Sequence, residues 1–354
     1  MEKIKLVEIC NPKQWKTIPT EDLLDEGYPV YGANGVIGYY GEYNHEKPVV
    51  AITCRGATCG SINITSPQSY ITGNAMCLDD VRDDIEIEYL YYCLKHYDFN
   101  GVISGSAQPQ ITRQGLNKVD ITICSHEEQL EIIDRLKRVE AIIKLRKNEL
   151  HELDELIKAR FVEMFGDPFH STRWPIKELM DVSESLVDGS NVNPDYYELN
   201  GEVLFLRIQN VWRNEFRLDD SVYISQEINQ GQYYDTSLKT GDLLITKIGR
   251  YYTKDSSLGR VSVYRGDDDS ANYSNNIMRV RLKETMNSEF VNILLNLDDY
   301  QSYIRRTSKG GTDKRALSKS LIGSYPIIIP PRELQEEFDQ FVKQVDKSKL
   351  MLIM

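Results

Sequence analysis

The chain has 354 residues, of which 41% are hydrophobic and 27% charged, and its formal net charge is −12. This length is enough for two domains that each bury a core. No apolar run approaches the roughly 18 residues that a membrane span needs, and the acidic balance argues against sequence-independent nucleic-acid binding, which requires a basic protein. The amino terminus MEKIKLVEICNPKQW lacks the apolar segment of a secretory signal, so we expect a cytoplasmic protein.

The first 124 residues predict a domain of short strands. The segment YPVYGANGVIGYYGEYN places Asn34 and Gly35 as a hairpin turn between two apolar and aromatic runs. KPVVAITCRGATCGSINIT has the pattern of a strand, a glycine-containing loop and a second strand, and EIEYLYYCLKHY predicts a short amphipathic helix. A polar segment and one more short strand lead from this helix into a long helical pattern.

The cysteines all lie in this first third of the chain. Only Cys54 and Cys59 are close in sequence, and neither a second close pair nor a nearby histidine accompanies them. This spacing favours reduced thiols over a zinc site, so we expect no metal in this chain. The full set is Cys10, Cys54, Cys59, Cys77, Cys93 and Cys124.

Residues 125–166 predict one long helix. Ser125 and Glu128 form a capping-box pattern at its start, and Gly166 followed by Pro168 ends it. At 1.5 Å per residue, such a helix extends for about 60 Å. An apolar stripe of this kind needs a partner helix, and the alternative is an ordinary core helix of one globular domain. The a and d positions of the coiled-coil pattern are Ile132, Leu136, Val139, Ile143, Arg146, Leu150, Leu153 and Ile157.

Residues 167–330 repeat the pattern of the first domain. GEVLFLRIQNV, LKTGDLLITKIGRY, SLGRVSVYRG and NNIMRVRLK predict strands, and residues 289–306 predict one helix. A polar loop, a strand and a second amphipathic helix, residues 331–354, follow. This helix is about half as long as the first, and its end, LMLIM, has the pattern of a helix that is cut short.

The two halves align at an offset of 206 residues. We interpret this agreement, together with the repeated order of elements, as an internal duplication of a domain and its outgoing helix. The aligned pairs are Ile121 with Ile327, Ile123 with Ile329, Gln129 with Gln335, Ile132 with Phe338, and Leu136 with Val342.

Motifs for catalysis are missing or incomplete. The chain has no Gly-Lys dipeptide, which a Walker loop requires, and no Asp-x-Lys or Glu-x-Lys triplet of the kind found in many nucleases. NPDYY, residues 193–197, resembles the Asn-Pro-Pro-Tyr loop of adenine methyltransferases, but Asp195 replaces the second proline and no glycine-rich cofactor turn accompanies it. The histidines are scattered, so we expect no catalytic residues here.

Local basic loops interrupt the acidic chain. Residues 301–320 carry six Lys or Arg residues against Asp313 alone, and LITKIGRYYTKDSS adds a second basic segment. Lys and Arg suit phosphate contacts, and Arg, Gln and Asn can pair with base edges; the alternative is ordinary solvated loops. The candidate DNA-binding residues are Asn34, Arg55, Thr58, Ser106, Gln108, Gln110, Arg113, Lys247, Arg250, Lys309, Thr312, Lys314 and Arg315.

These motifs together resemble the specificity (S) subunits of type I restriction-modification systems, and the resemblance covers the whole chain. It rests on YPVYGANGVIGYY, CRGATCG, GNAMCL, SGSAQPQITRQGL before an EEQ-headed helix, GDLLITKIG and LGRVSVYRG. It implies an α+β fold in which two target-recognition domains of mixed short strands and helices are joined by long antiparallel coiled-coil helices. The domains would be residues 1–124 and 167–330, and the helices residues 125–166 and 331–354.

The resemblance also implies a function and partners. Such a chain is a non-catalytic subunit that binds a bipartite site on double-stranded DNA, with no membrane involved. It positions two methyltransferase (M) subunits and the restriction (R) subunits, which would bind S-adenosylmethionine, ATP and Mg. The residues expected to dock partners are Leu136, Val139, Ile143, Leu150, Leu153 and Ile157.

The short second helix departs from the family, whose two helices are usually of comparable length. It leaves open whether the subunit is truncated. Two other interpretations remain: a coiled-coil scaffold without DNA specificity, and a methyltransferase or nuclease with an unrecognised site.

Overall fold

The computed structural model describes residues 2–32, 35–105, 108–253, 255–311 and 313–353. The chain divides into two compact units, Met1–Leu145 and Arg146–Met354, which we call the first and second units. Among the described helices, none combines the length and apolar character that a bilayer span requires.

The first unit contains short strands and one helix of nine residues in addition to the long helix. The predicted hairpin, strand-loop-strand segment and amphipathic helix are confirmed as β3 with β4, β5 with β6, and α2, except that Gly35, which was predicted in the hairpin turn, is the first residue of β4 and pairs with Gly32. The strands are β1 (Glu2–Lys5), β2 (Asn11–Lys13), β3 (Tyr28–Gly32), β4 (Gly35–Tyr40), β5 (Val50–Thr53), β6 (Ile62–Ile64), β7 (Tyr70–Ile71), β8 (Ala75–Asp79) and β9 (Asp120–Ile123). The helices are α1 (Leu6–Ile9), α2 (Ile87–Lys95), α3 (Arg113–Leu116) and α4 (His126–Phe165), which continues into the second unit.

The sheets of the first unit follow from buried, β-prone strands. The four residues of β5, VAIT, are all buried, and β5 lies inside a four-stranded sheet of order β2-β8-β5-β6. Helix α2 packs its buried face, including Leu90 and Leu94, in the same core as Val50 and Ile52. A second sheet has the order β4-β3-β7, with β3 and β7 parallel, and β1 pairs with β9.

The second unit repeats this topology. Its four-stranded sheet has the order β11-β18-β14-β16, its three-stranded sheet has the order β13-β12-β17 with β12 and β17 parallel, and β10 pairs with β21. The strands are β10 (Ile176–Glu178), β11 (Ser183–Asp188), β12 (Val203–Leu206), β13 (Val222–Ile224), β14 (Leu243–Thr246), β15 (Ile248–Arg250), β16 (Val261–Val263), β17 (Ala271–Tyr273), β18 (Ile277–Leu282), β19 (Lys309–Gly310), β20 (Lys314–Ala316) and β21 (Pro326–Ile328). The helices are α5 (Gln226–Ile228), α6 (Ser288–Asn296), α7 (Asp298–Thr307), α8 (Lys319–Gly323) and α9 (Arg332–Ile353).

A buried glutamine in the first unit joins the long helix to the domain. The Gln129 side-chain oxygen accepts a hydrogen bond from the backbone N–H of Glu86 at 2.9 Å. Its amide nitrogen donates to the carbonyl oxygens of Asp84 at 2.9 Å and Cys124 at 3.1 Å. The side chain therefore satisfies three backbone groups at the point where α4 begins.

The aligned glutamine of the second unit makes the equivalent set of bonds. The Gln335 side-chain oxygen accepts from the backbone N–H of Asn287 at 2.8 Å. Its amide nitrogen donates to the carbonyl oxygens of Pro330 at 2.9 Å and Thr285 at 3.4 Å. The predicted duplication is thus confirmed both in sheet topology and in individual hydrogen bonds.

Two predicted elements differ from the structure. The helix predicted over residues 289–306 is two helices, because Leu297 is extended (φ −57°, ψ 145°). Leu297 is buried in the core, and Asp298 and Asp299 favour a new helix start at its positive end. The polar loop after α7 is also more ordered than predicted, since β19 and β20 form a hairpin that pairs with β15.

The long helix α4 is continuous from His126 to Phe165. The predicted capping box is present, since the backbone N–H of Ser125 donates to Glu128 Oε2 at 3.0 Å and that of Glu128 to Ser125 Oγ at 3.3 Å. In the first unit, Ile133 is buried in the core, and the Tyr92 hydroxyl of α2 donates to the Glu140 carboxylate at 2.8 Å.

Within the second unit, α9 packs antiparallel against the last turns of α4. The rings of Phe161 and Phe338 lie 5.5 Å apart, and Lys349 Nζ lies 2.7 Å from a carboxylate oxygen of Asp154. Ile157 and Val342 belong to the same buried cluster. The predicted antiparallel helix pair is confirmed for this part of α4.

Candidate nucleic-acid interface

A three-stranded sheet in the second unit gathers several of the predicted DNA-binding residues. We call Arg250, Lys309, Lys314 and Arg315 on strands β15, β20 and β19 the basic sheet. Arg250 is paired across strands with Lys314, and Arg315 is opposite a glycine on each of its neighbours. By this register, Arg250, Lys309 and Lys314 lie on one face of the sheet, although Arg250 is distant from the two lysines in sequence, and Arg315 lies on the opposite face.

The side chains of the basic sheet are available to a ligand. Arg250 is 70% exposed, and its nearest carboxylate partner, Asp313, lies 3.9 Å away and is itself 80% exposed. Lys309 and Lys314 are exposed as well, and Tyr252 beside them is 77% exposed. Weak, exposed ion pairs contribute little stability, so these cations can exchange partners for phosphates or base edges at little cost.

Arg315 has a different role, because it is held in place. Its guanidinium group stacks over the Tyr251 ring at 3.9 Å and donates to the carbonyl oxygen of Ser308 at 3.2 Å. These contacts fix the direction of the side chain, which is half-buried.

Two glycines allow the strands of the basic sheet to approach closely. A Cβ on Gly249 would collide with the backbone nitrogen of Leu258. Gly310 has φ +142°, and a Cβ there would lie 2.6 Å from the carbonyl oxygen of Lys314. Glycine is therefore required at position 310 of the hairpin and at position 249 of the neighbouring strand.

Lys247, which was predicted to contact DNA, is already engaged. Its ammonium group lies 2.6 Å from a carboxylate oxygen of Asp188, and its side chain is only 17% exposed. The ion pair connects the segment before β15 to the end of β11. The ion pair limits the surface that Lys247 offers to a ligand, and its contact with DNA stays a prediction.

The first unit forms a related surface from two loops. Arg55 and Gln110 are paired by a β-bridge, as are Ser104 and Gln110, and the Gly56 N–H donates to the Pro109 carbonyl oxygen at 3.2 Å. The CRGATCG and GSAQPQITR segments, which are about 50 residues apart in sequence, are therefore adjacent in space.

The exposed polar side chains of these two loops are Arg55, Thr58, Gln108 and Gln110. We call them the polar loop pair. Gly105, with φ +88°, shapes the second loop, because a Cβ there would lie 2.5 Å from the Gln108 carbonyl oxygen.

The other predicted residues fall elsewhere. Arg113 begins helix α3, and its guanidinium group donates to the Asn11 side-chain oxygen at 2.9 Å, so it links α3 to β2. Asn34, Ser106 and Thr312 lie outside the described residues.

The residues predicted to dock partners divide into two groups. Val139 and Ile143 are 51% and 48% exposed, and with Ile142 and Leu145 they form what we call the exposed stripe of α4. Leu136 is half-buried against the core of the first unit. In the second unit, Leu150 and Leu153 are half-buried and Ile157 is buried, so these positions serve intramolecular packing.

In the described part of the chain, His45, Cys77 and Asp79 place their potential metal-ligand atoms within 4.8 Å of one another. Both ring nitrogens of His45 already have partners, Asn44 Oδ1 at 2.6 Å and Asp79 Oδ1 at 2.9 Å. Trp15 Nε1 donates to the other oxygen of Asp79 at 3.1 Å. Burial, and then the charge of Asp79, raise the pKa of the Cys77 thiol, which keeps it protonated. We interpret this cluster, which the sequence did not predict, as a hydrogen-bonded support for β8.

Comparison with known proteins points to one family. A family model described as "Type I restriction modification DNA specificity domain" matches residues 1–155 and 172–353. The EcoprrI type I restriction enzyme specificity subunit of Escherichia coli is 30% identical over 115 residues, which are 32% of this chain and 28% of that protein. A putative type I specificity subunit of Mycoplasma genitalium is 31% identical over 99 residues, 27% of this chain and 26% of that protein. The matched segments thus span only about a quarter of these curated relatives.

Solved structures agree on the fold. The crystal structure of the type I restriction-modification system S subunit from M. genitalium superimposes with a TM-score of 0.57 and covers 99% of this chain and 92% of that one. The sequence identity is 13%, so this similarity establishes the architecture alone.

Proposed function

The chain belongs to the type I restriction-modification DNA specificity family, and we propose that it is the sequence-reading subunit of such a complex. In this proposal each unit contacts one half of a bipartite site on double-stranded DNA. The second unit uses the basic sheet, and the first unit uses the polar loop pair.

One observation carries the proposal. Both units have the same sheet topology. In each unit, polar or cationic side chains lie together on loops at corresponding places in the fold. These loops precede the strands that align at an offset of 206 residues. Arginine and glutamine side chains on such loops can pair with base edges in a major groove, and lysines can contact phosphates. Two similar surfaces in one chain fit a site with two separate halves.

We propose further that this chain performs no bond-making or bond-breaking itself. Methyl transfer and cleavage would occur in methyltransferase and restriction subunits, which would bind S-adenosylmethionine, ATP and Mg. Two methyltransferase subunits would dock on the helices, with the exposed stripe of α4 as one contact surface, since apolar side chains at helical spacing are typical of helix-in-groove recognition. We expect this assembly to work in the cytoplasm, where it meets DNA.

Methylome sequencing tests this function. Cells that carry the chain with its cognate methyltransferase should show methylated adenines in one bipartite motif, and cells that carry the methyltransferase alone should not. The purified chain by itself should neither methylate nor cleave DNA. Methylation without a bipartite motif, or activity of the purified chain, would contradict the proposal.

A further inference from the structure

A cavity of about 460 Å³ in the second unit collects arginines around one tryptophan. Its lining includes Trp212, Arg213, Arg217, Arg260 and Arg305. Of these residues, only Arg305 belongs to a basic segment identified in the sequence, and the cavity itself was not predicted because its lining comes from three separate segments of the chain.

Two of these arginines are structural. The guanidinium carbons of Arg217 and Arg260 lie 3.5 Å and 3.6 Å from the centre of the Trp212 ring. Arg217 is also bonded to Glu215 at 2.7 Å. Arg260 is 6% exposed and donates to backbone carbonyl oxygens, including that of Ser256. Arg260 therefore donates from all three of its guanidinium nitrogens within the protein, and Arg217 is held by Glu215 and the Trp212 ring.

Arg213 differs from them. It is half-buried, and no hydrogen bond, ion pair or ring contact joins its guanidinium group to the rest of the described chain. The nearby Asp298 lies 3.0 Å from Lys158 and is already paired. A partly desolvated guanidinium group without a partner is costly, and such a group marks a place where an anion would be stabilised.

The charges around the cavity repel one another. Burial, and then the neighbouring Arg305, lower the pKa of Arg213. Burial, and then Arg213 and Arg217, lower the pKa of Arg260 to about 10. The carboxylates that face the group, Asp255 and Asp298, oppose this effect for Arg213 without reversing it. A bound anion would relieve the repulsion.

We propose that this cavity binds a phosphate group of the DNA backbone, with Arg213 as its main contact. The inference rests on the proposed function, because segments that line the cavity are continuous in the chain with strands of the basic sheet. Helix α7 carries Arg305 and continues into β19, and the segment after β15 carries Ser256. The cavity would anchor the backbone next to the base-reading side chains. Phosphate contacts of this kind fix position and carry no sequence information.

The salt dependence of DNA binding by the full-length chain tests the DNA contact. Each phosphate contact contributes about 0.9 to the slope of log K against log salt concentration, so Arg213→Gln should reduce the slope by about 0.9. At about 0.1 M salt, this corresponds to roughly eightfold weaker binding, equal for specific and scrambled duplexes. Arg213→Lys should keep the slope. Arg138→Gln, which removes a charge from a 76% exposed position, is the matched control and should change neither property.

Inorganic phosphate tests the cavity independently of DNA. At constant ionic strength, replacing chloride by phosphate should raise the melting temperature of the full-length chain, and Arg213→Gln should abolish this rise. In chloride alone the variant should melt no lower than the wild type, because the lost group has no partner in the protein.

The outcomes separate this inference from the proposed function. An unchanged salt slope in Arg213→Gln overturns the DNA contact, even if the response to phosphate is lost, since the cavity would then hold only free anions. A retained phosphate response in the variant also overturns the inference. If the wild-type chain distinguishes no duplex sequence at all, the proposed function fails, while the salt slope and the phosphate titration still decide the role of Arg213.

Discussion

Single buried side chains hold the long helix to the domain that precedes it. The fully buried Gln129 side chain satisfies three backbone groups, and a leucine of similar size would leave all three without this partner. Since each unsatisfied buried polar group costs about 1–3 kcal/mol, we expect Gln129→Leu to lower the free energy of unfolding of the first unit by about 2–4 kcal/mol. Urea unfolding measures this change.

The control for this prediction is Gln344→Leu, which makes the same substitution at an exposed position of α9. It should change the unfolding free energy by no more than about 0.5 kcal/mol. Equal effects of the two variants would show that the hydrogen bonds of Gln129 do not matter for stability.

Two exposed residues test which unit contacts which half of the DNA site. Arg250→Ala should weaken binding by about 1–3 kcal/mol and relax base preference in the half-site of the second unit only. Gln110→Ala is its reciprocal control and should affect only the other half-site. Neither side chain supports the core, since both are exposed. Competition binding with duplexes mutated in one half-site measures the two effects. Equal losses at both half-sites would contradict the assignment of surfaces.

For single residues, the sequence predicted which charged side chains are exposed better than it predicted which residues contact one another. The exposure of Arg250 and Lys314 could be predicted because cations in polar, glycine-containing loops are usually exposed, and their contact with DNA stays a prediction. The engagement of Lys247 could not, because its partner Asp188 is 59 positions away. Arg213 was missed for the same reason, since its charged neighbours come from distant segments.

The exposed stripe of α4 belongs to the scale of single elements. Ile143 is 48% exposed, so Ile143→Asp removes little core packing and should change stability by less than about 1 kcal/mol. A charge in an apolar contact surface should weaken docking of the cognate methyltransferase at least tenfold, because a buried aspartate would lack a partner. Surface plasmon resonance with the purified subunit measures this loss, and binding of DNA by the chain alone should be unchanged.

Lys144→Gln is the matched control for the stripe. It makes the same helix more negative by one charge, as Ile143→Asp does, at an exposed position at least about 100° around the axis from every residue of the stripe. Methyltransferase affinity should remain near the wild-type value. Equal loss in both variants would place the contact elsewhere or show a general effect of charge.

Helices were predicted well where local chemistry decides them. The start of α4 follows from the Ser125 and Glu128 pair, which acts within one turn. The break at Leu297 was missed because residues on both sides favour helix: Asp298 and Asp299 are a local signal for a new helix start, but the burial of Leu297 depends on distant residues of the core. The hairpin of β19 and β20 was missed because glycines and lysines are poor strand formers, and pairing with β15 compensates.

For the whole molecule, the duplication could be predicted because similar residues recur at a constant offset in the two halves of the sequence. Agreement between Gln129 and Gln335 at an offset of 206 required no knowledge of the fold. Sheet order could not be obtained in this way, since the parallel pairs β3 with β7 and β12 with β17 depend on long-range contacts. The repeat therefore indicated two similar domains, and the structure was needed to show which loops meet.

If the continuous helix α4 sets the spacing between the two DNA-reading units, its length must control the spacing of the half-sites. Inserting seven helix-favouring residues after Leu145 adds about 10 Å, or roughly three base pairs, and rotates the following residues by only about 20°. We expect the preferred spacer to lengthen by about three base pairs while the bases in each half-site stay the same. Binding to duplexes with graded spacers measures this change. An unchanged preferred spacer after the seven-residue insertion would contradict this role of α4.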